Sequence, residues 1–255
     1  MADYTPTEMM TVAAARALKN QDVCFVGIGM PSAAANLARL THAPDITLIY
    51  ESGTLATRPN VLPLSIGDPE LCETALTTVS VPEMFRYWLQ GGRITVGFLG
   101  GAQIDKFANL NTTVVGDYHK PKVRLPGGGA PEIATSCGEI FIIMAQSKRS
   151  FVPKLDFVTS LGHGDGTNRG RLGAKNKGPT RLMTDLAIFE PDAGSSEMVV
   201  TSIHPGVTRD QIAEATGWPV RYVAKVGETP APTGKELATL RELHARTKRA
   251  HGDQS

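Results

Sequence analysis

Glu51 is the first residue of this sequence whose type and position could do chemistry. It follows the apolar run Ile46–Tyr50 and precedes Ser52 and Gly53. Ligands bind beyond the carboxyl ends of the strands in an open parallel sheet. A carboxylate placed there, beside a glycine turn, can act as a nucleophile or a base. A glutamate that caps a helix or forms a salt bridge fits the same position, so the residues alone leave both interpretations open.

Two glycine-rich turns could supply bare backbone N–H groups. Gly27 and Gly29 resemble the start of a dinucleotide-binding fingerprint, but its third glycine is missing. The run Gly127–Gly129 lacks the Gly-Lys-Ser/Thr that follows in a phosphate-binding P-loop. Free N–H groups in such runs can bind a developing oxyanion. Tight turns that require a positive φ also use glycine. The alternative interpretation of each run is therefore a turn in which the glycines have only a conformational role.

The histidines and the basic residues do not complete a site. His119, His163 and His204 lack the spacing of metal ligands, and no Gly-x-Ser-x-Gly elbow is present. Four cations fall within the polar segment 161–179 and could bind phosphates, namely Arg169, Arg171, Lys175 and Lys177. A solvated surface loop explains the same cluster.

Helices and strands alternate in the first third of the chain. Thr5 and Glu8 form a predicted capping box that opens the first helix. The apolar strand Val23–Val26 follows, then a helix rich in small residues from Pro31, then the strand Ile46–Tyr50. Because no hairpin turn joins the two strands, we expect them to pair in parallel within an α/β fold.

The rest of the chain continues this pattern. The run Glu139–Ala145 is apolar without alternation, which predicts a central strand covered on both faces. Capping residues predict helices that begin after Ser80, Thr208 and Thr233. The segment 94–105 is predicted to be a strand that leads into a glycine turn, and 109–118 and 122–125 are predicted to be extended. One strand each is predicted at 181–190 and at 196–203.

Composition limits the class of protein. The 255 residues are 41% hydrophobic and 20% charged with a formal net charge of +1, which is typical of a globular protein and argues against a dedicated nucleic-acid binder. Cys24, Cys72 and Cys137 are too far apart for a zinc ribbon or a disulfide framework. We find no signal peptide and no apolar run of ~18 residues, so we expect a cytoplasmic protein outside the membrane.

The domain organisation predicted from these patterns is simple. We expect one domain over residues 1–255, with a polar surface loop at 161–179. A C-terminal subregion is expected from about 180 to 246, and a frayed tail over 247–255.

Five motifs occur together in a characteristic order. They are YESG at 50–53, FLGGAQID at 98–105, VGDYH at 115–119, GGGA at 127–130 and DFVTS at 156–160. As a set they resemble the β-subunit of class I coenzyme A transferases, of the glutaconate CoA-transferase type. The resemblance covers roughly residues 1–205. It implies the class I CoA-transferase fold, an open and mostly parallel α/β sheet with helices on both faces.

The resemblance also implies a partner and a mechanism. These enzymes pair homologous α- and β-subunits as a heterodimer or heterotetramer, and their site lies at the interface. The catalytic glutamate of the β-subunit matches Glu51. It attacks the thioester of an acyl-CoA, and a mixed anhydride and then a glutamyl-CoA thioester form before a carboxylic acid accepts the CoA. Coenzyme A is a substrate, and neither a metal nor a redox cofactor is expected.

The matched motifs assign further site residues. One backbone N–H donor to the oxyanion is expected from Gly128 or Gly129, with Ala130 beside them. Ser52 and Gly53 shape the Glu51 turn. Three residues after the Phe98 strand are expected to line the cleft or contact substrate, namely Gly100, Gly101 and Gln103.

Specificity and reaction type stay open at this point. We expect the segment 54–66 to recognise the acid, and Arg58 within it is either a carboxylate anchor or an exposed structural residue. An acyl-CoA hydrolase of the same fold, acting on a thioester or opening a ring by C–C cleavage, is the alternative to a transferase. A non-catalytic partner subunit is the third hypothesis.

Overall fold

A computed structural model of the chain describes residues 3–166 and 169–252. They form two compact units. The first unit contains residues 3–98 and 231–252, and the second contains residues 99–166 and 169–230. That the two units act as one domain stays a prediction. No helix among the described residues is long and apolar enough to cross a membrane.

Helices and strands alternate along much of the chain. The α-helices are Pro6–Ala17 (α1), Met30–Thr41 (α2), Pro69–Glu73 (α3), Val81–Glu83 (α4), Ala130–Ser136 (α5), Arg209–Glu214 (α6) and Gly234–His251 (α7). A π-helix at Met84–Leu89 continues α4, and a short 3₁₀ helix covers Arg169–Leu172.

The strands are mostly short. They are Val23–Val26 (β1), Thr47–Tyr50 (β2), Thr54–Leu55 (β3), Thr77–Thr78 (β4), Val96–Leu99 (β5), Gln103–Ile104 (β6), Leu110–Asn111 (β7), Val114–Gly116 (β8), Pro121–Arg124 (β9), Glu139–Ile143 (β10), Pro179–Met183 (β11), Ala187–Pro191 (β12), Met198–Ile203 (β13) and Tyr222–Glu228 (β14).

The helix starts predicted at Thr5, Thr208 and Thr233 are confirmed, because each of these residues exchanges hydrogen bonds with the residue three positions later. The N–H of Glu8 donates to Thr5 Oγ1 at 3.1 Å, and the N–H of Thr5 donates back to Glu8 Oε2 at 2.8 Å. The same reciprocal box opens α6 at Thr208 and α7 at Thr233. Each box satisfies two N–H groups that a helix start leaves without a partner.

The first unit places β1 at the centre of the order β5, β1, β2, β3, β4. β1 runs parallel to both β2 and β5, so the predicted parallel pairing of the first two strands is confirmed. β3 and β4 add to β2 as antiparallel strands. In this register Val26 lies beside Tyr50, which brings the carboxyl ends of β1 and β2 to the same edge.

The second unit has the order β10, β11, β12, β13, β14. β10 is parallel to β11, β12 is antiparallel to both neighbours, and β13 is parallel to β14. The prediction of one strand over 181–190 is wrong, because Thr184 turns the chain there. Its Oγ1 accepts the N–H groups of Leu186 and Ala187 at 3.1 and 2.9 Å, which closes a hairpin. Strand β14 was not predicted, because its residues are half-buried or exposed and carry no apolar run.

The polar loop departs from its prediction at one residue. Arg171, Lys175 and Lys177 are exposed as expected of a surface loop, but Arg169 is 8% exposed. Its guanidinium donates to the carbonyls of Leu161, at 2.8 Å, Gly162 and Ala134, the last at 2.5 Å. Burial lowers its pKa to about 10. Arg169 is therefore a buried structural cation that ties the loop to α5, and it does not form a phosphate site with the other three.

The C-terminal helix extends past the predicted boundary of the tail. α7 continues to His251, and Thr247 is buried within it. The Oγ1 of Thr247 accepts the N–H of Leu62 at 2.8 Å, which anchors the last turns of α7 within the first unit. Fraying from residue 247 is thus not found up to Gly252, and the remaining tail residues lie outside the described part.

Candidate active site

Glu51 begins the turn that follows β2. Tyr50, the last residue of that strand, is fully buried, and its hydroxyl forms a 2.7 Å hydrogen bond with Ser32 Oγ in α2. Burial raises the pKa of Tyr50 to about 12, so the ring stays neutral. The N–H of Gly53 donates to the Tyr50 carbonyl at 3.0 Å and closes the turn. Glu51 and Ser52 therefore sit, half-buried, on a turn with a fixed base.

Gly53 is required by the close approach of the chain at Val79. Its φ is +97°, and a Cβ built on it would overlap the Val79 carbonyl oxygen. The N–H of Val79 donates to the Gly53 carbonyl at 2.9 Å. Only glycine combines this φ with this contact. The turn that carries Glu51 is thus held on both sides, by Tyr50 and by Val79.

Two hydroxyl groups beside Glu51 are buried without a partner in the described part of the chain. They are Ser52 Oγ and Thr54 Oγ1, and Thr54 is 1% exposed. A buried polar group without a hydrogen bond costs about 1–3 kcal/mol. The sequence pointed to Ser52 but not to Thr54. Arg58, further along the segment, has an exposed side chain.

The predicted oxyanion loop lies in the second unit. The N–H of Gly127 donates to the Thr112 carbonyl at 3.1 Å, and Thr112 Oγ1 donates to the Gly127 carbonyl at 3.0 Å. Gly128 has open space around its Cβ position, and Gly129 precedes α5. Within residues 3–166 and 169–252, the N–H groups of Gly128 and Gly129 donate to no other atom, whereas that of Ala130 donates to the Gly127 carbonyl at 3.3 Å.

Gln103 belongs to a polar network in the same unit. Its Nε2 donates to Asp156 Oδ2 at 3.0 Å, and its Oε1 accepts from Asn111 Nδ2 at 2.8 Å and from the Asp156 N–H at 3.0 Å. Asp156 Oδ2 also accepts the N–H of Gly116 at 2.8 Å. Most of the hydrogen-bonding capacity of the Gln103 amide is thus used within the protein. Through Asp156, the network connects the motifs at 98–105, 115–119 and 156–160.

Thr159 connects the network to the oxyanion loop. Its Oγ1 accepts the N–H of Thr112 at 2.9 Å and forms a 2.7 Å hydrogen bond with Thr113 Oγ1. Because Thr112 is bonded in turn to Gly127, the position of the loop depends on residues far from it in sequence. Asn111, Thr112 and Thr159 were missed as supporting residues, since hydroxyl and amide side chains in extended segments carry no distinctive pattern.

Gly100 and Gly101 pack closely against backbone atoms. A Cβ on Gly100 would lie 3.3 Å from the Ile143 carbonyl oxygen, and one on Gly101 would lie 3.3 Å from the carbonyl oxygens of Asn111 and Gln103. The predicted site residues therefore form two groups. Glu51, Ser52 and Gly53 lie on one turn of the first unit, and the remaining ones lie in the second unit.

The family model for coenzyme A transferases matches residues 7–215. The chain belongs to the coenzyme A transferase family. It is 64% identical to the β-subunit of 3-oxoadipate CoA-transferase of Pseudomonas knackmussii, and the match covers 100% of this chain and 98% of the relative. It is 38% identical to the β-subunit of glutaconate CoA-transferase of Acidaminococcus fermentans, over 95% and 94% of the two chains.

Structural comparison agrees with the sequence. The crystal structure of glutaconate coenzyme A-transferase from Acidaminococcus fermentans superposes with a TM-score of 0.87 at 35% identity, covering 94% of each chain. The predictions of a class I CoA-transferase β-subunit, of an enzyme of this class and of its open, mostly parallel α/β fold are confirmed.

Proposed function

We propose that this CoA-transferase subunit acts with a homologous α-subunit to move coenzyme A from an acyl-CoA to a carboxylic acid. Its nucleophile in this proposal is Glu51. The observation that carries the proposal is the Glu51 turn, which holds a carboxylate at a strand end between the Tyr50 and Val79 contacts. Two relatives that are themselves β-subunits support the α partner, in a heterodimer or heterotetramer. The 64% identity to a subunit of a 3-oxoadipate enzyme supports a dicarboxylic acyl group.

The proposed reaction is two successive acyl exchanges. An Oε of Glu51 attacks the thioester carbonyl carbon, the C–S bond breaks, and CoA thiolate leaves a mixed anhydride. The thiolate then attacks the Glu51 carbonyl carbon and expels the donor carboxylate, which gives a glutamyl-CoA thioester. The acceptor carboxylate repeats these two steps in reverse and restores Glu51. No net proton is consumed, and coenzyme A is a substrate throughout.

The backbone donors have a defined part in this scheme. Each tetrahedral intermediate places negative charge on the former carbonyl oxygen, and N–H groups aimed at that oxygen stabilise it. Gly128 and Gly129 are the proposed donors, because the described residues leave their N–H groups unused and Gly128 is exposed. The hydroxyls of Ser52 and Thr54 are further donors for the Glu51 carboxylate or its adducts.

Isotope exchange tests the proposal. The complex with the α-subunit is given an acyl-CoA and the labelled free acid of the same acyl group, with no second acid. A covalent glutamyl-CoA route predicts that label enters the acyl-CoA, and that Glu51→Gln abolishes this exchange. Glu73→Gln, at an exposed glutamate, is the matched control and keeps it. Thioester loss without label exchange would instead support the hydrolase, and exchange by Glu51→Gln at the wild-type rate would support a non-catalytic subunit.

A further inference from the structure

A mostly apolar cavity of about 330 Å³ lies in the first unit, between α1, α2, α7 and the segment that follows the Glu51 turn. Ile28, Gly29 and Met30, which follow β1, form one wall, and Leu62 and Leu64 form another. Ligand pockets span about 300–1,000 Å³. The cavity is thus large enough for part of a substrate and too small for a whole coenzyme A molecule.

The register of β1 and β2 places this cavity near Glu51. Val26 pairs with Tyr50, so the chain leaves β1 at Gly27 beside the point where Glu51 leaves β2. Parallel strands lie about 4.8 Å apart, and a chain spans at most about 3.6 Å per residue. Three residues separate Gly29 from Val26 and one separates Glu51 from Tyr50, so Gly29 lies no further than about 19 Å from the Glu51 backbone. Apart from its two chain neighbours, no described residue places an atom within 4 Å of the Cβ position of Gly29, so this wall is open.

The lining of the cavity favours a hydrocarbon chain. Two parts of the substrate are attached to the thioester carbon that Glu51 would attack. One is the acyl chain, and the other is the pantetheine arm, which is joined through sulfur. The pantetheine arm carries two amides, which need hydrogen-bond partners when buried. Two hydroxyls on the cavity wall have already donated within the protein, from Thr11 Oγ1 to the Thr7 carbonyl at 2.8 Å and from Thr247 Oγ1 to the Leu243 carbonyl at 2.9 Å.

We propose that the cavity binds the hydrocarbon part of the acyl group and sets the chain length that the enzyme accepts. This inference rests on the proposed function of Glu51. His244 also lines the cavity, and its side chain is exposed. The cavity therefore meets water beside an imidazole, where the terminal carboxylate of a dicarboxylic chain finds a donor and stays hydrated.

Ala33→Val tests the inference by filling the cavity from α2. Ala33 lines the cavity and is 3% exposed. Ala35, fully buried on the same helix, is not among the lining residues, and Ala35→Val is the matched control. With the α-subunit bound, kcat/KM is measured for acyl-CoA donors from acetyl to adipoyl. A methylene misfit in an apolar pocket changes selectivity about 10- to 200-fold. We expect Ala33→Val to reduce the adipoyl-to-acetyl ratio about tenfold or more and Ala35→Val to change it less than about twofold.

A second variant predicts the opposite change and guards against misfolding. Leu64 lines the cavity and is 40% exposed, so Leu64→Ala lengthens the cavity without opening the core. It should raise the adipoyl-to-acetyl ratio. If kcat/KM depends on acyl chain length in the same way in wild type, Ala33→Val and Leu64→Ala, the inference is overturned.

Binding of the same acyl-CoA series, followed by calorimetry, separates this inference from the proposed function. Affinity that depends on chain length and shifts in Ala33→Val, in a complex that shows no exchange, would retain the cavity assignment and reject the Glu51 reaction. Exchange that depends on Glu51 without any shift in chain-length selectivity would retain the reaction and reject the cavity assignment.

Discussion

Gly53 and Val79 pack backbone against backbone, with the Val79 N–H donating to the Gly53 carbonyl at 2.9 Å. A Cβ on Gly53 would overlap the Val79 carbonyl oxygen, and the φ of +97° favours glycine independently. This contact is two residues from Glu51. The backbone turn that carries the proposed nucleophile is therefore fixed by contacts within the protein itself.

Gly53→Ala should damage both stability and activity. The positive φ and the overlap together should lower the free energy of unfolding by at least about 2 kcal/mol, measured by urea unfolding. The exchange rate should fall more than the folded fraction does. Gly92→Ala is the matched control, since Gly92 has a φ of +70° but open space around its Cβ position. Equal losses in the two variants would mean that the Val79 contact does not matter.

Thr112→Val should slow catalysis through the oxyanion loop. It removes the hydroxyl that donates to the Gly127 carbonyl at 3.0 Å. Loss of one oxyanion donor reduces kcat about 10²–10³-fold, so a misplaced loop should reduce it about tenfold, with little change in KM. Thr135→Val removes a comparable 2.9 Å bond, to Pro131, on an exposed face of α5 and serves as the control. A change in KM alone would contradict the assignment of this loop to the transition state.

Arg169→Met should destabilise the second unit. The guanidinium satisfies the carbonyls of Leu161 and Gly162, which the variant would leave without a donor among the described residues, whereas the Ala134 carbonyl keeps its 3.0 Å bond from Asn176 Nδ2. Each unsatisfied group costs about 1–3 kcal/mol, and thermal unfolding should report the loss. Arg171→Met, at an exposed residue of the same turn, should stay within about 0.5 kcal/mol of wild type. Near-equal effects would mean that Arg169 is not a structural cation.

Acid should weaken the contact between α1 and α7. The hydrogen bond from Arg241, at 2.6 Å, lowers the pKa of Glu8 from 4.5 to about 2. A lowered carboxyl pKa contributes stability that is present above the unfolded-state pKa and is lost as pH falls through the folded-state value. The unfolding midpoint should therefore decrease as the pH is lowered from about 4.5 to about 2. Glu8→Gln should reduce this dependence of the midpoint on pH. An unchanged pH profile in Glu8→Gln would contradict this account.

Local and periodic features were predictable from the sequence. The capping boxes at Thr5, Thr208 and Thr233 involve residues three positions apart, so their hydrogen bonds follow from the sequence directly. The end of β2 at Tyr50 followed from the apolar run before it, and this placed Glu51 at a strand end.

Contacts between distant segments were not predictable. Gln103 and Asp156 are 53 positions apart, and nothing in either segment indicates that the amide faces the carboxylate. Arg169 appeared as one of four cations in a polar loop, because burial depends on the carbonyls that surround it in the fold. Thr184 resembled an ordinary strand residue, and only its hydrogen bonds with Leu186 and Ala187 mark a turn.

Covalent trapping shows directly whether Glu51 is the nucleophile. The complex with the α-subunit is incubated with an acyl-CoA, treated with hydroxylamine or borohydride, and digested, and the peptide that contains Glu51 is analysed by mass spectrometry. We expect a modification at Glu51 that depends on acyl-CoA and is absent from Glu51→Gln. An unmodified Glu51 in a complex that continues to consume the thioester would contradict it.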